Sequence, residues 1–132
     1  MKAIIYGPSH TLQLAEIDKP IPADDEVLLR VRAAAVNPLD GHLLKTAPWM
    51  RNLMSTMVGI RVRRPGADVA GEVEAVGKNV TRFASGDAVF GGSSGGGFAG
   101  YACPPESKLA KMPANVSFEA AASVNVAGRT AL

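Results

Sequence analysis

Between positions 91 and 100 the chain reads GGSSGGGFAG, in which Gly95, Gly97 and Gly100 fit the spacing G-x-G-x-x-G. That spacing cradles a dinucleotide pyrophosphate only when a strand leads into it and a helix opens directly behind it. The helix then supplies unpaired N–H groups and a dipole aimed at the phosphates. A strand is expected over 87–92, on Val89 and Phe90. A helix is not, because Pro104 and Pro105 follow closely on Gly100, and proline removes a backbone donor and clashes with the preceding turn. Glu119 stands about 20 residues on, where such folds place a ribose-binding acid, but no βαβ unit surrounds it. No Gly-Lys-Ser/Thr follows, so a P-loop is ruled out. The glycines are therefore expected to form a mobile turn between two strands.

Other reactive residues are few. A single cysteine, Cys103, permits neither an internal disulfide nor a multi-cysteine metal site. It follows Ala102 in an expected strand and reads as a small core residue. Fourteen basic against twelve acidic residues leave a net charge of +2, which gives no electrostatic case for nucleic acid. The opening MKAIIYGPSH has an apolar run too short for a signal peptide, and nothing approaches a membrane span. With 132 residues, 47% of them hydrophobic, one self-sufficient core is expected, in a soluble cytoplasmic protein.

The elements that must position any site are mostly strands. KAIIY (2–6) is a short apolar run ended by Gly-Pro, and TLQLAEID (11–18) alternates before Pro20 and Pro22. In 26–36, Val27, Leu29, Val31 and Ala33 fall on one face, opposite Leu28, Arg30 and Arg32. In 68–77, Val69, Gly71, Val73 and Ala75 oppose Ala70, Glu72 and Glu74. This period of two predicts half-buried strands, and Gly71 predicts a bend or a close backbone approach. Asn37-Pro38 ends the third strand, and 39–46 reads as a short helical turn. Residues 47–65 carry Trp49, Leu53, Met54, Met57, Val58 and Ile60 with Arg51, Arg61, Arg63 and Arg64. They read either as a loop packed over a cleft, the favoured reading, or as a membrane-surface stretch anchored by its arginines. A turn is expected at Ser85-Gly86-Asp87, then another strand. Ser117 is an expected N-cap with Glu119 in the first turn of a helix that runs into apolar residues at the terminus. Many short strands with regular turns imply a small barrel or sandwich.

VNPLD (36–40), PGADVAGEVEAVGKNVTRFASGDAVFG (65–91) and YACPPESKLAKMPANVSFEAAA (101–122) together resemble one family. It is the N-terminal GroES-like barrel of the medium-chain dehydrogenase/reductase superfamily, in its zinc-independent quinone oxidoreductase branch. The resemblance implies a mainly β fold: a GroES-like β-barrel with short helices over 1–122. It further implies that 123–132 is a helical segment leading toward a Rossmann domain absent here, and that the nucleotide's phosphates bind there. The terminal segment stops without a C-cap, which is the expected feature of a truncated or split enzyme domain.

Zinc-dependent relatives have a cysteine, two residues and an aspartate where this chain has Asn37-Pro38-Leu39-Asp40, and Gly-His-Glu where it has Gly66-Ala67-Asp68. Catalytic zinc needs three protein ligands, so the resemblance implies loss of the catalytic metal, with the four-cysteine structural lobe missing as well. What it leaves is hydride transfer from NADPH, with NADP as the family's cofactor, to a quinone or activated alkene. The isolated chain is expected to be inactive and not to bind the nucleotide by itself.

By family position, Asn37 is the first candidate, an amide for the nicotinamide side or a substrate oxygen; alternatively it only caps a turn. His42 matches a proton-relay histidine of some zinc-dependent relatives, and its ordinary pKa suits relay work, but an exposed, inert helix residue is the favoured reading. Thr130 corresponds to a threonine near the nicotinamide ring, while Arg129 and Asn125 depart from the usual apolar residue and proline. Asp40 and Asp68 are read as carboxylates bonded to barrel backbone. The expected partners are a small-molecule substrate and either a Rossmann domain or a second copy. A stand-alone binding or assembly module without catalysis is the alternative.

Overall fold

A computed structural model of the chain describes residues 1–58 and 64–132, with backbone only at 54, 55 and 58. The strands form where they are expected, β1 (Lys2–Tyr6) and β5 (Ala88–Gly92) from short apolar runs and β2 (Leu12–Glu16), β3 (Val27–Ala35) and β4 (Asp68–Val76) from alternation. Two short strands follow, β6 (Tyr101–Ala102) and β7 (Leu109–Lys111). All ladders are antiparallel, in a two-stranded ribbon β1-β2 and a five-stranded sheet β6-β3-β4-β5-β7. The stretch before β6 joins them, since Ile4 N–H donates to Phe98 O at 2.8 Å and Gly100 N–H to Lys2 O at 3.2 Å. Among the described residues no ladder links β7 back to β2.

The sheet is covered on both faces. On one side Val27, Leu29, Val69, Val73, Val89 and Leu109 pack with Phe83. On the other, Ala70 meets Ala121 and Ala122 of α3 (Phe118–Ala122), with Phe90, Met112 and Phe118 around them. Alanine at each contact brings the helix close to the sheet. Neighbours Val69 and Ala70 are thus both fully buried, on opposite faces. Ser117 caps α3, its hydroxyl accepting from Ala120 N–H at 3.2 Å.

Two expectations for β3 need correction. Ala33 does not share a face with Val31: the β3–β4 register shifts between them, Val31 packs on the first cluster and Ala33 on the second. A bulge inserts one residue and so reverses the alternation beyond it. Leu28, expected on the polar face, is buried at 7% exposure, beside the second register shift. The expected close approach at Gly71 is present, for a Cβ there would collide with Arg30 O.

The helices also depart from expectation. The turn read at 39–46 is the two-turn helix α1 (Pro38–Lys45), begun by proline at its first position. Of residues 47–65, expected as a loop packed over a cleft, 48–58 instead form a helix, α2 (Pro48–Val58), while Arg64 and Pro65 do line a cleft. Arg51, one of the arginines expected as surface anchors, points inward at 8% exposure. Its guanidinium lies 4.2 Å from the Tyr6 ring centroid and donates to Thr46 O at 2.9 Å and Leu43 O at 3.3 Å. These supply a donor to Thr46 O at the end of α1 and a second one to Leu43 O, which also accepts from Thr46 N–H at 3.3 Å. His10 Nδ1–H, 2.8 Å from Leu44 O, serves the same end. Ile60, Arg61 and Arg63 of that reading lie outside the described residues. No described helix is long and apolar enough to cross a membrane.

Candidate functional site

The glycine-rich segment is not a loose turn. Ser93 N–H donates to Ala67 O at 2.6 Å, Gly96 N–H to Pro65 O at 3.0 Å, and Gly97 N–H to Gly66 O at 3.0 Å. The loop is therefore zipped backbone to backbone onto residues 65–67. Its glycines allow that approach: Gly66 has φ +103°, and a Cβ on Gly97 would sit 2.6 Å from Val69 Cγ1. No α-helix follows it; β6 and a short 3₁₀ turn at Glu106–Lys108 do. The phosphate-cradle geometry is absent, and the reason for the glycines is contact rather than mobility.

The zipped segments form one wall of a cleft of about 200 Å³. Leu39, Asp40 and Leu43 of α1 supply another wall, and α4 (Asn125–Ala131) a third. Two carboxylates hold this arrangement. Asp40 is buried at 7% exposure; its Oδ2 accepts from Asn37 N–H at 2.8 Å and its Oδ1 from Gly66 N–H at 3.2 Å. It thereby caps α1 and pins the 65–67 segment to it. Its reading as a backbone-bonded carboxylate holds.

Asp68 differs from that reading. It opens β4, is fully buried, and bonds side chains and a helix start rather than barrel backbone. Oδ2 accepts from Asn37 Nδ2 at 2.8 Å and from Val126 N–H at 3.2 Å, and Oδ1 from Asn125 Nδ2 at 2.9 Å. Three donors satisfy a charge that would otherwise be costly to bury. Asn125, a departure from the family pattern, is thus one of the groups holding α4 on the sheet.

Of the predicted site residues, Asn37 is not among those lining the cleft, and its position is fixed by both carboxylates. His42 is exposed on α1 and lines no part of the cleft. Thr130 borders a shallower depression with Asn125, Val126 and Arg129, and its hydroxyl donates to Val126 O at 2.7 Å. Asn37 reaches the start of α4 through Asp68, Thr130 lies in its last turn, and His42 is apart from both. Cys103 lies just beyond β6 and is half-buried, not a strand core residue. Burial, with Glu26 adding and Arg64 opposing, pushes its thiol up to about 11, so it is protonated at neutral pH and a poor nucleophile. Sequence reading passed over Asp68 as a central residue, along with the cleft's Arg64 and Lys108. A carboxylate immediately before the apolar pair Val69-Ala70 was the available signal for the first.

Ala67 offers no donor atom to a metal, and Asn37 Nδ2 is already engaged. Among the described residues no three His, Cys, Asp or Glu side chains converge. For a nicotinamide dinucleotide the fit is partial. About 200 Å³ is smaller than the roughly 300–1,000 Å³ that drug-sized ligands fill, so the cleft suits one end of such a cofactor.

Residues 23–114 match the alcohol dehydrogenase GroES-like domain. Quinone oxidoreductase from Homo sapiens is 34% identical over 123 residues, covering 92% of this chain and 35% of that protein. The structure of the quinone oxidoreductase from Coxiella burnetii superposes with a TM-score of 0.84 at 28% identity, over 99% of this chain and 43% of the other. The Escherichia coli quinone oxidoreductase complexed with NADPH gives a TM-score of 0.79 at 26% identity, over 98% and 39%. The chain thus spans well under half the length of these relatives. Fold, family match and relatives agree: the chain belongs to the alcohol dehydrogenase GroES-like domain family, in the quinone oxidoreductase-like branch of the medium-chain dehydrogenase/reductase superfamily.

Proposed function

We propose that this chain is the substrate-side part of an NAD(P)H-dependent oxidoreductase that reduces a quinone or activated alkene without zinc. The observation that carries the reading is the cleft between α1, the zipped 65–67 and 93–95 backbone, and α4. It is lined by Leu39, Leu43, Pro65 and Val126, apolar enough to exclude water around a flat, weakly polar acceptor. Its size accommodates a small acceptor or one end of a cofactor, and the rest of the dinucleotide would lie on a Rossmann domain supplied in the same or another chain.

The nicotinamide, when bound, supplies the hydride, and solvent supplies the proton that completes the two-electron reduction. This chain's residues orient and desolvate. Asn37, held by Asp68 and Asp40, is the amide for the nicotinamide side or the acceptor oxygen. Thr130, at the far turn of α4, is proposed for the cofactor side. His42, exposed on α1, enters only as a solvent-side proton relay.

The test is reconstitution. NADPH oxidation with duroquinone should be negligible with this chain alone or with a separately produced Rossmann domain of a quinone oxidoreductase, and measurable when the two are mixed. Asn37→Ala should abolish the mixed activity while His42→Gln lowers it modestly. A mixture that forms a complex yet shows no turnover would favour a binding module instead.

A further inference from the structure

Three cations line the cleft, each from a different part of the chain: Arg64 before β4, Lys108 before β7 and Arg129 in α4. Two have placed head groups. Lys108 Nζ donates to Ser94 Oγ at 3.0 Å, at the glycine-loop rim. The Arg64 guanidinium lies against Gly96, with Nε and Nη2 each 3.4 Å from where a Cβ would stand. None of the three is within ion-pair distance of a carboxylate among the described residues, whose pairs all lie elsewhere. The acidic groups of the site, Asp40 and Asp68, form no direct pair with them. Asp40 is spent on Asn37 and Gly66, and Asp68 on Asn37, Asn125 and Val126.

A cleft with apolar walls, three such cations and one lining carboxylate, Asp40, carries an excess of positive charge, and low-dielectric walls concentrate its field. Arginine in particular offers a planar fork that matches a carboxylate. Size narrows the ligand further. A dry cavity of about 150 Å³ holds benzene, so about 200 Å³ holds one ring or a short unsaturated chain with its anionic group at the rim. We propose that the cleft takes a small unsaturated carboxylic acid, and that Arg64, Lys108 and Arg129 recognise its carboxylate. The proposal rests on the oxidoreductase reading only in taking that acid to be the substrate; the binding itself is independent of turnover.

The experiment compares cinnamate with methyl cinnamate, which keep the same ring and alkene and differ in charge, by following amide NMR shifts of the full chain. Cinnamate should shift Ala67, Ser94 and Val126 saturably and bind at least about tenfold more tightly than its ester. The preference should shrink in high salt, as exposed cations are screened. Arg129→Gln, on an exposed position of α4, should remove much of the preference with the fold intact, and Lys108→Gln should act likewise. Equal binding of acid and ester would overturn the proposal while leaving a neutral quinone or enone cleft in place. Inorganic phosphate matching cinnamate would overturn the assignment to an apolar acid. No saturable shift with either cinnamoyl compound would overturn it altogether, with reconstituted duroquinone turnover still deciding the parent reading separately.

Discussion

Asp68 Oδ1 accepts from Asn125 Nδ2 at 2.9 Å and thereby joins the first residue of β4 to the first residue of α4 across 57 positions of sequence. With Val126 N–H on the other oxygen, the carboxylate acts as the anchor of a helix that has no buried residues of its own. So short a helix has little intrinsic stability, and its order depends on that anchor.

Asn125→Ala should therefore release α4. Hydrogen bonds to a charged group contribute roughly 1.5–3 kcal/mol, and the variant should lose stability at about the low end of that range. Hydrogen exchange should show the loss, with Gly128 and Arg129 amides exchanging faster while β3 and β4 stay protected. Unchanged exchange there would mean that something other than Asp68 holds the helix.

Gly66 and Gly86 provide a matched pair. Both have left-handed φ, +103° and +96°, but a Cβ on Gly66 collides with the Phe98 backbone while one on Gly86 meets nothing within 4 Å. Gly86→Ala should cost about 1 kcal/mol of backbone strain. Gly66→Ala should cost about 2 kcal/mol more through overpacking. Urea midpoints of the two variants measure the difference, and equal midpoints would show that the zipped wall yields easily.

Leu29→Ala should destabilise by about 2–5 kcal/mol, because it empties a fully buried site in the main cluster. Leu14→Ala, at 66% exposure on the ribbon, should change stability by no more than about 0.5 kcal/mol. Urea denaturation of both reads the contrast, and a large effect at Leu14 would mean the ribbon face is covered in solution.

Burial raises the Cys103 thiol from 9.0 to about 11. A raised folded pKa means that the folded state holds the proton more tightly. The associated stability is complete below pH 9 and is lost as pH rises toward 11. Wild-type protein should lose more stability across that window than Cys103→Ala, and alkylation by iodoacetamide should be slow at neutral pH. Rapid alkylation of the folded protein at pH 7 would contradict this.

The strands were legible because alternation follows directly from the pleat, and β3 and β4 show it plainly. What alternation cannot register is an inserted residue, so the face change between Val31 and Ala33 escaped it. The start of α1 was written in Asn37, Pro38 and Asp40, but the Asn-Pro pair also reads as a strand stop. The role of Asp68 was not legible, because its partners lie 31, 57 and 58 residues away and only folding brings them to it. The cleft cations are likewise scattered, at 64, 108 and 129. The glycine run was legible as a departure from helix, but its bonds to 65–67 are long-range backbone pairing that composition does not encode.

The zipped wall of the cleft also bears on how such a domain diversifies. Where Gly66 and Gly97 meet, main chain faces main chain, so that stretch of wall has no side chain to exchange, and almost any substitution damages the fold before it alters recognition. Selectivity must be rewritten on the other surfaces, at Leu39, Leu43, Arg64, Lys108 and Arg129. Apart from Leu39 and Leu43, which share α1, these stand on separate segments, and a change at one segment need not disturb the packing of the next. A rigid frame with a handful of independently replaceable positions lets one scaffold be retuned from neutral to charged ligands by single steps, without passing through an unfolded intermediate sequence.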